Sequence, residues 1–143
     1  MLNMKDITTA AKDLLEQNLQ DYTIVRNAQR NMDANIAAMG KGWIGVYRGR
    51  IDYTPHTVGG NTPYLAEVEV IIEVQAASME SGADAEDRLQ DAEQDVLNIL
   101  NDNKKLSGYV NQNMGYDIEY EFNADETIWH HAAIITARYE VRA

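Results

Sequence analysis

The chain has no cysteine among its 143 residues. That excludes disulfide stapling and thiolate chemistry, and it is compatible with a reducing compartment. Long apolar runs are missing too. No stretch approaches the roughly 20 residues that a membrane helix needs, so no membrane partner is expected. The opening residues, MLNMKDITTAAKDLLEQ, are polar and amphipathic. They lack the apolar core of a signal peptide, which argues against export by that route. Bases are scarce: 12 Lys and Arg stand against 23 Asp and Glu, a formal net charge of -11. Proteins that grip nucleic acid neutralise phosphates with Lys and Arg. This balance argues against gripping DNA, but it permits a surface that DNA passes without sticking.

Motifs that carry chemistry are also lacking. The sequence holds no serine nucleophile elbow, no P-loop and no dinucleotide fingerprint. Gly59, Gly60 and Asn61 form a turn signal only, because no helix follows to receive a phosphate. His130 and His131 are adjacent in a strand-like run. Their side chains should therefore point to opposite faces and cannot easily ligate one ion. His56 is the remaining histidine, in a loop-like stretch, and neither a zinc HExxH pattern nor a calcium DxDxDG pattern is present. We expect no catalytic residue, no metal and no cofactor.

What remains is a pattern of helices and strands. Ile7, Ala10, Ala11, Leu14 and Leu15 form a stripe at helical spacing, with Asp6 as a cap candidate. A short strand is predicted over YTIVR (22–26). Residues 27–42 read ambiguously, with a helical turn around Ile36 and Ala37 stopped by Gly40 and Gly42. WIGVYRGRIDY (43–53) and LAEVEVIIEV (65–74) alternate as strands. Ala85, Leu89, Ala92, Val96, Ile99 and Leu100 mark a second helix, with Ser78 or Ser81 to cap it, acids in its first turns and Lys104 and Lys105 at its far end. YDIEYEF (116–122) and WHHAAIITARYEV (129–141) close the chain as a hairpin around NADET. Their inward set is read as Ala133, Ile135, Ala137, Tyr139 and Val141. The expected fold is α+β: a single domain over 1–143, with an antiparallel or mixed four- to five-stranded sheet and two main helices packed on one face.

Three features invite a functional reading. In LAEVEVIIEV, Ala66, Val68, Val70, Ile72 and Val74 point one way, and Glu67, Glu69, Ile71 and Glu73 the other. A second acidic row, Asp117, Glu119 and Glu121, lies on the last hairpin. Catalytic carboxylate pairs depend on burial that splits their pKa values. Such regular spacing fits a wet or interfacial face better. Ile71, the lone apolar member, is expected to lie against protein, within the fold or at a subunit interface. The second feature is the connection over 54–64, which holds Thr54, Pro55, His56, Gly59, Gly60 and Asn61. It is longer than a hairpin needs and is a candidate contact element. The third is Arg48 and Arg50, two bases in a base-poor chain, able to orient an interface with an acidic neighbour.

The order of these pieces resembles the tail terminator proteins of long-tailed bacteriophages, also called tail completion or tail-to-head joining proteins. The N-terminal helix is followed by GWIGVYRG, similar to the family's second strand. Next come the acidic strand EVEVIIEVQA, an acidic helix running into NDNKKLSGYV, and a Trp-initiated last strand, IWHHAAIITARYEV, ending in aromatic-Glu-Val. The resemblance covers nearly the whole chain and lies in order and spacing. The chain departs from the pattern in having Met39-Gly40-Lys41-Gly42 where the family often has a proline. The resemblance implies a non-enzymatic virion protein at the head-proximal end of the tail, assembled in the host cytoplasm. It also implies a homo-oligomer, a hexameric ring that caps the tail tube, stops tube polymerisation and presents a docking surface to the head. Its implied partners are the tail tube protein and the head-completion or connector protein, and DNA passes through without specific binding. The alternatives are another phage head-completion, connector or minor capsid protein, or a small acidic protein-binding module.

Overall fold

In the computed structural model, the residues described are 3–26, 42–55, 64–124 and 128–142. Helix α1 runs Met4–Asn18 and buries the expected stripe, Ile7, Ala10, Ala11, Leu14 and Leu15. Its cap is Asn3 rather than Asp6. The Asn3 side chain accepts from the Asp6 amide at 3.2 Å, which leaves Asp6 in the first turn where the helix dipole favours an acid. Helix α2 runs Gly82–Asp102 and buries Ala85, Leu89, Ala92, Val96 and Leu100. Of the two serines considered, Ser81 caps it, accepting from the Asp84 amide at 3.0 Å. Lys104 and Lys105 lie just past its end, and the last turn itself carries no base. A short 3-10 turn, Leu106–Gly108, follows, and Gly108 there has φ +94°.

The strands are β1 (Tyr22–Val25), β2 (Gly42–Pro55), β3 (Tyr64–Ser78), β4 (Gln112–Ala124) and β5 (Trp129–Arg142). They form one five-stranded mixed sheet in the order β1-β2-β3-β5-β4. β1 pairs parallel to β2 and every other pairing is antiparallel. The predicted α+β class is therefore observed. The ladder between β2 and β3 continues to Pro55 opposite Tyr64. The connection expected over 54–64 is accordingly shorter at both ends, because Thr54, Pro55 and Tyr64 are strand residues.

Both helices serve one face. α2 packs chiefly on β3 and β5, and α1 on β2. Their stripes meet Ile44 and Val46 of β2, the even-numbered run Ala66 to Ala76 of β3, and Ala133, Ile135, Ala137, Tyr139 and Val141 of β5 in one core. Burying side chains of this size contributes about 1.5–3 kcal/mol each before chain entropy is charged. The inward set predicted for β5 is the observed one.

Candidate functional site

The second face of the sheet carries the first acidic row, and it is not uniformly wet. Glu67 is exposed and Glu69 half-buried. Glu73 is only 1% exposed, and Gln75 and His130 are buried with it. The row read as one solvated or interfacial face therefore breaks at its C-terminal end. Strand alternation fixes only which face a side chain takes; what covers that face is a tertiary matter. Ile71 is half-buried, and its side chain lies over Gly49. A Cβ built on Gly49 would sit 2.8 Å from the Glu69 Cβ and 3.1 Å from the Ile71 Cδ1. Gly49 sits in a register shift between Arg48 and Ile51, so the missing side chain lets β2 bulge under two β3 residues. Ile71 thus rests on its own sheet.

Arg48 and Arg50 flank that bulge and are both exposed. Arg50 makes a 3.0 Å ion pair with Asp52, and its amide donates to Glu69 Oε1 at 3.3 Å. Asp52 pairs in register with Glu67, so this ion pair lies on the second face. Thr54 is exposed near the end of β2. His56, Gly59, Gly60 and Asn61 lie outside the described residues. The bulge thus brings Arg50, Glu69 and Ile71 together on the second face, while Arg48, in register with Val70, stands on the helix-bearing side.

The second acidic row stays in water. Asp117, Glu119 and Glu121 are all exposed on β4, the edge strand. Arg138 of β5 lies 3.3 Å from Asp117, while Ile134 and Ala132 stand opposite Glu119 and Glu121. The two rows are separated by β5 and do not merge into one patch.

A groove missed at the level of sequence lies on the helix-bearing face. Tyr120 and Phe122 share that face with Tyr116 and Ile118, but they are 61% and 78% exposed. β4 is the outermost strand and α2 sits over β3 and β5, so the hairpin end projects past the helix. Between them opens a cavity of about 640 Å³, lined by Glu86, Leu89, Tyr120, Phe122, Trp129 and His131, with Gly82 and Gln90 at its margin. The Phe122 and His131 rings stack at 6.0 Å with 26° between planes. The Tyr120 hydroxyl donates to Glu93 Oε2 at 2.7 Å. That bond to a carboxylate, together with partial burial, pushes the tyrosine pKa up. Gly82 lets Trp129 approach, since a Cβ there would lie 3.2 Å from the indole. The available signal was two aromatics on a terminal hairpin strand.

His130 and His131 do point to opposite faces: His130 pairs with Ala77 and is buried, while His131 stacks in the groove. Among the described residues, no group of three or more His, Cys, Asp or Glu side chains is placed to hold a metal ion. No helix among them is long and apolar enough to cross a membrane. The arrangement offers surfaces for docking: an edge strand, an aromatic groove beside it and a basic bulge at the other end of the sheet. The chain matches no protein-family model and no curated protein.

Proposed function

We propose that the chain is a non-enzymatic structural protein of a phage virion, of the tail terminator kind. In this reading it forms a hexameric ring that caps the tail tube, ends tube polymerisation and provides the surface on which the head docks. The observation that carries it is the element order, helix, strand, long hairpin, acidic helix and closing hairpin, on the pattern that the sequence shares with that family. The mixed sheet with both helices on one face supports it, because among the described residues β4 stands at the edge of the sheet with an exposed acidic row that a neighbour can meet. A net charge of -11 suits a channel through which DNA moves without being held.

The test is negative-stain microscopy of the protein alone and mixed with tail tubes. Six-fold rings, or tubes capped at fixed length, are the expected result. A protein that neither forms rings nor caps tubes overturns the proposal. A second reading, an acidic protein-binding module, is favoured by the aromatic groove, whose Phe122 is largely exposed beside the acidic helix α2. A stable monomer that leaves tail tubes uncapped would support it.

A further inference from the structure

The groove between α2 and the closing hairpin combines aromatic rings with negative charge. Its volume of about 640 Å³ lies in the range of ligand pockets. Phe122 is largely exposed, and His131 stacks on one face of its ring, which leaves the other face open. Tyr120 stands two residues away on the same side of β4, and Trp129 adds a half-buried indole from across the hairpin. The faces of such rings are electronegative and attract cations.

Two carboxylates of α2 act in the same sense. Glu93 accepts from the Tyr120 hydroxyl and so fixes that ring. The bond to Glu93 is the main cause that holds the Tyr120 pKa up, and Glu86 in the groove wall adds to it through space. Gln90 donates to Glu86 Oε1 at 3.3 Å, which orients that carboxylate without neutralising it. Arg88, the base of α2, is held by Asp84. Among the described residues that line the groove, none is lysine or arginine.

These walls select a ligand by charge. An anion would meet two carboxylates on a chain of net charge -11. A wholly apolar segment would cover Glu86 and take its water without replacing it. A cation answers both the rings and the carboxylate. Of the two basic side chains, the flat, weakly hydrated guanidinium stacks on a ring and donates in parallel to one carboxylate, which a strongly hydrated ammonium does not. A second copy brings the same net charge, so a basic segment of a different protein complements this surface better.

We infer that the groove is a binding site for an arginine side chain on an exposed segment of another protein, with the guanidinium stacked on the open face of Phe122 and paired with Glu86. The inference holds for a ring or a monomer alike and depends on neither.

The test titrates blocked tripeptides, Gly-Arg-Gly and its Lys, Leu and Glu counterparts, into the labelled full-length protein. Nuclear magnetic resonance follows the Trp129 indole and the amides of Tyr120, Phe122 and His131. The arginine peptide should shift these signals saturably and bind about fivefold or more tightly than the leucine peptide, and the glutamate peptide should not bind. Phe122→Ala and Glu86→Gln should each weaken arginine binding about fivefold at an unchanged circular dichroism spectrum. Glu119→Gln, which removes an exposed acid from the opposite face of β4, should leave it unchanged. No binding of the arginine peptide, or equal binding of the leucine peptide, overturns the site. Equal binding of the lysine peptide overturns the stacked guanidinium. Equal losses in Glu119→Gln and Glu86→Gln would show diffuse attraction to an acidic surface and no site. If the parent self-associates and Phe122→Ala abolishes this, the occupant is a second copy and the proposed partner falls.

Discussion

On its helix-bearing side, β3 buries Ala66, Val68, Val70, Ile72 and Val74 without interruption. On its other side, the same strand is exposed at Glu67, half-buried at Glu69 and Ile71, and buried at Glu73 and Gln75. The alternation is equally regular on both sides, yet only the first has one environment. An apolar row needs a cover, and the amphipathic stripes of α1 and α2 supply it. A row of carboxylates tolerates water, cover or a partner, so its spacing alone does not decide among them. β4 repeats the lesson in reverse: Asp117, Glu119 and Glu121 are all exposed, and aromatics on its opposite side are exposed too.

The sharpest way to break this comparison is to place the same substitution at two points of the second face. Glu73→Lys puts a longer side chain of opposite charge where the native one is 1% exposed. It should cost roughly 3–5 kcal/mol in urea unfolding, the scale of a buried charge that loses its proper surroundings. Glu119→Lys, on exposed β4, should stay within about 0.5 kcal/mol of the parent. Equal costs would mean that the two acidic rows share one environment after all.

Gly49→Ala probes the boundary between the faces at the bulge. The added methyl meets the Glu69 Cβ and the Ile71 side chain, and β2 must shift to admit it. A loss of about 1–3 kcal/mol is expected, typical of overpacking. An unchanged unfolding midpoint would show that the bulge has slack and that Gly49 is not what seats Ile71.

Much of the helix-bearing side was legible in the sequence, because a buried stripe has a period. Ile7 to Leu15, Ala85 to Leu100 and Ala133 to Val141 each matched the face they occupy. Less legible were features set by partners distant in sequence. That β5 lies between β3 and β4 follows from where α2 crosses the sheet, which no local pattern records. Glu73 looked like Glu67 because the same alternation holds both. That Tyr120 and Phe122 lie exposed was not legible, because periodicity cannot say where a covering helix stops. The Asn3 cap was hidden because Asp6, three residues on, is an equally good capping residue by type. Of the residues singled out, Arg50 and Ile71 lie at the bulge on the second face and Arg48 stands on the other side of the sheet; the aromatic groove was not anticipated at all.

Tyr139 refines the comparison from within the uniform face. It is fully buried, and its hydroxyl has no hydrogen-bond partner in the protein among the described residues. Burial pushes its pKa up, with a smaller push from Tyr116 nearby. Removing that oxygen relieves a desolvated polar group at little cost in packing. Tyr139→Phe should be neutral or stabilising by about 1 kcal/mol. A destabilisation of similar size would show that the hydroxyl is satisfied, and that this face too hides a polar contact.

The smallest effect is a pH dependence at the start of α2, where the covered face gives way to solvent. The Ser78 hydroxyl donates to Asp84 Oδ2 at 2.6 Å, and the Arg88 guanidinium lies 2.9 Å from the same oxygen. The serine bond is the larger cause holding the Asp84 carboxyl below the usual aspartate range; the arginine adds to it, and partial desolvation opposes both. A folded-state pKa below the unfolded one gives stability that is present above the unfolded value and lost as pH falls through the folded one. The parent should therefore exceed Asp84→Asn in unfolding midpoint near neutral pH, and the gap should shrink as the pH is lowered to about 3 and beyond. Because this cluster is partly exposed, moderate salt should narrow the Arg88 share of the gap and leave the Ser78 share. A gap that is constant from neutral to acid would mean that Asp84 acts through its hydrogen-bonding shape and not its charge. The ionised link between the β3 terminus and the first turn of α2 would then have to be given up.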